Sequence, residues 1–314
     1  MIESLFNPKE IRKNASKRCE VFLAGVIFSI VGIIFAVSVV PPQAGAIGIG
    51  FLIVAFICIP AAPFFVQLFK IEEKEEIRKE DKLFSKTLFT HHLDIIEIFV
   101  FFFLGVLVTS SLVYVVVPNQ TANKMFDDQA RDLEAKGVIT GQATEAVESS
   151  GMLTGEVASR EGSGEEVGAG FTFGEILANN LTVLALAFIF SFALGAGAVF
   201  LISWNASIIG VLIGKITENP EMLGLVDTGN PISNYLIALP VTLLRLLPHG
   251  IFEFGAYFIG AIAGGILSAG VIQESVKSRR TKFRHLSQVI VDSGIYLIIA
   301  FILVIIGAAI EVAV

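Results

Sequence analysis

Apolar residues recur along this chain in blocks as long as a bilayer is thick. Stretches 21–40, 44–69, 95–117, 176–200 and 289–310 are mostly apolar over about 20 residues, enough for one helical crossing each. The stretch 201–272 divides less evenly, into short apolar runs at 205–217 and 232–247 and a longer one at 250–272. Polar segments punctuate these blocks. Residues 70–90 mix acids and bases at helical spacing and predict a charged helix that continues the second span. Residues 118–174 open with a predicted helix, Ala122 to Lys136, then pass into a Gly-, Ser- and Glu-rich stretch that reads as a flexible tether.

The basic residues are segregated. Segments 1–20, 70–94 and 273–288 carry five, six and five Lys or Arg, whereas the longer segment 118–174 carries four and the turn at 41–43 none. Loops rich in Lys and Arg stay on the cytoplasmic side. The predicted topology is a multi-pass cell-membrane protein with a cytoplasmic N-terminus, an extracytoplasmic loop at 118–174 and an extracytoplasmic C-terminus. Parity then requires an even number of crossings between 201 and 272. The simplest solution makes 205–217 a short outward crossing, 250–272 the return, and 232–247 an interfacial or re-entrant half-helix. The fold class is all-α, a polytopic membrane helix bundle of about seven spans with a broken or re-entrant helix near 232–250. Residues 1–94 form an N-terminal hairpin plus the charged helix, and 95–314 a five-span core that includes the outer loop.

Composition agrees. The 314 residues are 54% hydrophobic and 16% charged, with 27 Phe against 4 Tyr and 1 Trp, and the mean hydropathy is +0.78. So little charge cannot clothe a water-soluble body of this size. A soluble enzyme, a nucleic-acid binder and a disulfide scaffold are excluded, and the lipid bilayer is the first partner. The two cysteines, Cys19 and Cys58, lie at different expected depths, so no disulfide joins them. The first apolar run has no convincing cleavage site before Pro41 and reads as a retained anchor. No HExxH, P-loop or GxSxG pattern is present, so no enzyme, cofactor or metal is expected.

Two segments repeat small residues every fourth position: Ala206, Gly210 and Gly214, then Ala256, Gly260, Gly264 and Ser268. Each set shares one helix face and lets a neighbouring backbone approach closely. Just before the second set, Arg245, His249 and Glu253 recur at i, i+4, i+8. A continuous helix would align them, although Pro248 and Gly250 predict a kink or break. With Asn180 and Asn205 these residues compose a candidate intramembrane polar site. One reading makes Glu253 an ion or proton acceptor in a bundle cavity. The other makes it a structural lock, paired with Arg245 or with backbone freed by Pro248. A lone pair without a continuing polar pathway favours the lock. Asn205 stands where the chain is expected to turn, and suits turn backbone. His91, His92, Asp94 and Glu97 open the third span and read as an interfacial cap, since adjacent histidines diverge on a helix.

The strings NNLTVLALAFIFSFALGAGAVFLISWNASIIGVLIG (179–214), RLLPHGIFEFGAYFIGAIAGGILS (245–268) and IEV (310–312) resemble the stage II sporulation protein M family, in its archaeal form. The resemblance covers roughly 90–314. It implies a five-span core with a helix break around Pro248-His249-Gly250. It also singles out Asn180, Gly195, Gly197, Asn205, Gly210, Gly214, His249, Gly250, Glu253, Gly260 and Gly264. The hairpin at 20–70 is extra to that core. In spore-forming bacteria the namesake scaffolds cell-wall hydrolases, a role for which this sequence shows no counterpart. The expected function is a non-enzymatic membrane scaffold or assembly subunit, with protein partners or a homo-oligomer meeting the small-residue faces. The alternative is a transporter or channel built on Arg245, His249 and Glu253.

Overall fold

A computed structural model describes residues 18–40, 48–77, 87–135, 172–194, 197–274 and 279–313. Regular structure among them is helical throughout. In chain order the helices are α1 (Arg18–Val39), α2 (Ile49–Ile77), α3 (Thr87–Val116), α4 (Asn119–Met125), α5 (Asp127–Ala135), α6 (Phe173–Leu194) and α7 (Ala198–Glu218). A 3₁₀ turn (Pro220–Leu223) then leads to α8 (Pro231–Glu274) and α9 (Arg279–Ala313). Segments as rich in Val, Ile and Phe as α1 would suit strands in water. In lipid every backbone polar group must be satisfied within its own segment, and a helix does so. Seven helices, all but α4 and α5, are long and apolar enough to cross a membrane.

Side-chain registers fix the relative directions. Arg18 meets Asp94 and Glu97, and Gly25 meets Gly105, so α1 and α3 run parallel. Gly210 seats on Ser110 and Ser111, and Gly214 on Tyr114, so α7 runs with them. Phe258 stacks on Phe99 with ring centroids 5.6 Å apart, and Phe254 lies against Phe103 at 4.9 Å, so α8 runs opposite to α3. α6 is parallel to α8, and α9 antiparallel to it. Directions thus alternate through the seven long helices. The ends that adjoin the three basic segments gather at one end of the bundle.

Three expectations are revised. The predicted fourth and fifth spans, 176–200 and 205–217, become α6 and a full-length α7. The predicted re-entrant piece and the return span are one 44-residue helix that continues through Pro240 and Pro248. A proline removes one backbone donor, and the packing around a membrane helix tolerates that loss. Obliquity replaces the break. Along α3, Phe103 and Ser111 are about 12 Å apart, whereas their α8 partners Phe254 and Tyr235 are about 28 Å apart along the helix. The first half of α8 therefore slants across the end of α3. The third revision concerns the outer segment: its first part is two packed helices, α4 and α5. The rest of that tether, 136–171, and Gly195 lie outside the described residues.

Candidate functional site

Glu253 sits midway along α8 and is buried. Asn180, from the second turn of α6, donates its Nδ2 to Glu253 Oε1 at 2.6 Å. Tyr257, one turn further along α8, donates its hydroxyl to Asn180 Oδ1 at 2.9 Å. The amide is thus oriented from both ends, accepting at oxygen and donating at nitrogen. Asn179 adds a donor to the same oxygen at 3.2 Å. The third wall is α9, where Gly307 faces Glu253. Glu311, one turn beyond Gly307, lies within electrostatic reach of Tyr257. A buried carboxylate needs charge-assisted hydrogen bonds, and this chain supplies one from another helix.

The expected partners of Glu253 are elsewhere. Arg245 is exposed and donates to the Leu223 carbonyl at 3.1 Å. His249 is half-buried, and its Nδ1 has no hydrogen-bond partner among the described residues. Asn205 lies inside α7, not at a turn, and its Nδ2 returns to the Leu201 carbonyl at 2.8 Å. Of the five proposed site residues, only Asn180 and Glu253 come together. The sequence reading missed Tyr257, whose i+4 spacing from Glu253 was the available signal. Asp94 and Glu97 both engage Arg18, which ties the N-terminal hairpin to the core. The side chains of His91 and His92 lie outside the described residues.

The small-residue faces are filled from within the chain. Gly210 and Gly214 take α3, while Gly260 meets Leu184 and Gly264 meets Phe188 and Ser191, all on α6. Ala206, Ala256 and Ser268 are buried with them. These faces set the intramolecular register and are not available to other chains.

A second polar junction lay unread in the sequence. Gln129 of α5 is fully buried and donates to the Gly50 carbonyl and to Ser207 Oγ, each at 3.2 Å. Asp128 accepts from the Phe51 amide at 3.0 Å, capping α2 from another helix. Asp132 accepts from the Trp204 indole at 3.2 Å. A Cβ at Gly48 or Gly50 would meet the polar end of the Asp128 or Gln129 side chain, so either glycine could be filled only if that side chain gave up its place. Ala122, Met125, Phe126, Ala130 and Leu133 bury the apolar side of α4 and α5. That three-and-four spacing was the legible clue.

Comparisons with known proteins agree with this architecture. The family described as stage II sporulation protein M matches residues 98–314, more than two thirds of the chain. An uncharacterized protein of Methanocaldococcus jannaschii is 35% identical over 94 residues, which are 30% of this chain and 44% of that protein. The match thus spans less than half of that relative. No solved structure matches the chain. The family match takes in α6, α7, α8 and α9 entire, with Asn180, Glu253 and Gly307 among them, and the chain belongs to the stage II sporulation protein M family.

Proposed function

We propose that this protein is a non-enzymatic scaffold or assembly subunit of a membrane complex, with α6 as its partner-facing helix. One relationship carries the reading: the Asn180–Glu253 lock holds one side of α6, and among the described residues the other side is left uncovered. Of the seven long helices α6 is the least buried, at 22%. Ala178, Thr182, Ala185, Ile189 and Phe192 are exposed along it at alternating spacings of four and three. This is the spacing of a helix–helix seam. Small side chains at three of the five positions permit the close backbone approach on which membrane helix association depends. In this reading the end bearing the basic segments is cytoplasmic, and α4, α5 and the C-terminus lie on the outer side.

The test is a native pull-down of the tagged chain from its host in mild detergent, read by mass spectrometry. A stoichiometric partner, or a homo-oligomer joined through α6, is the expected result. A lone chain would overturn the reading. The transport alternative has its own readout: flux into reconstituted vesicles that Glu253→Gln abolishes without unfolding the protein.

A further inference from the structure

We draw no further inference here: the strongest candidate, the uncovered face of α6 on which Asn179 and Thr182 stand exposed beside Ala178 and Ala185, belongs to the partner-facing surface already proposed, and nothing in the structure shows which helix covers it.

Discussion

Gly307 of α9 faces Glu253 of α8 without space for a methyl group: a Cβ at 307 would lie 2.8 Å from Glu253 Cγ. The missing side chain makes room for the carboxylate between two helices, with Asn180 completing its surroundings from a third. Gly307→Ala gains about 1 kcal/mol of helix propensity and incurs an overpacking penalty of about 1–3 kcal/mol. The expected net effect is a lower unfolding temperature in detergent. In a Glu253→Ala background the penalty should vanish, leaving Gly307→Ala neutral or stabilising. Equal effects in both backgrounds would separate the two residues energetically.

The small-residue faces make a prediction that distinguishes two glycines on the same helix. A methyl at Gly264 would collide with the Phe188 backbone carbonyl, which cannot move without its helix. At Gly260 the obstacle is the end of the Leu184 side chain, which can change rotamer. Gly264→Ala should therefore destabilise the isolated chain by about 1–3 kcal/mol, and Gly260→Ala by clearly less. Thermal unfolding of the two variants gives the order directly. Because α6 fills this face, Gly264→Leu should damage the monomer rather than only its complexes.

The chain's single tryptophan, Trp204, reports on the α5 junction. Asp132→Ala removes the acceptor of the indole N–H and should shift the emission maximum. Asp127 pairs with Arg131 on the exposed side of α5, so Asp127→Ala should leave emission unchanged. A matching shift in both variants would mean that the indole senses bulk charge rather than that hydrogen bond.

Asp227, in the loop before α8, accepts from Asn234 Nδ2 at 2.8 Å and from the Gly229 amide at 2.9 Å. The Asn234 hydrogen bond first, then the Gly229 amide, hold its carboxyl below the usual carboxylate value. A depressed carboxyl contributes stability above its unfolded pKa of about 3.9, and that contribution is lost as pH falls through the lowered folded value. The wild-type unfolding temperature should therefore fall more steeply than that of Asp227→Asn as pH drops below about 4. Parallel curves would exclude the effect.

Much of the architecture was legible in the sequence because lipid imposes a simple rule, about 20 apolar residues per crossing. The same rule made Glu253 conspicuous. What stayed hidden was tertiary. Asn180 and Glu253 are 73 positions apart, and nothing local pairs them, whereas Arg245 at i−8 invited a pairing that α8 turns aside. Pro248 and Gly250 suggested a broken helix under rules learned in water, yet α8 passes through both. Asp128, Gln129 and Asp132 lie within the predicted helix Ala122 to Lys136 and join α5 to α2 and α7, contacts that helical spacing alone does not reveal. Their burial depends on Gly48, Gly50 and Ser207, which no periodicity linked to them.

The most direct test of the scaffold account is site-specific photo-crosslinking in host membranes from Ala185 on α6, with Ile298 on α9 as the control. Ile298 is exposed among apolar neighbours and should give only lipid adducts. Ala185 should give a discrete protein adduct, either a partner or a second copy of this chain. Lipid adducts alone from Ala185, under conditions in which the protein is intact, would contradict the claim that α6 presents an interaction face.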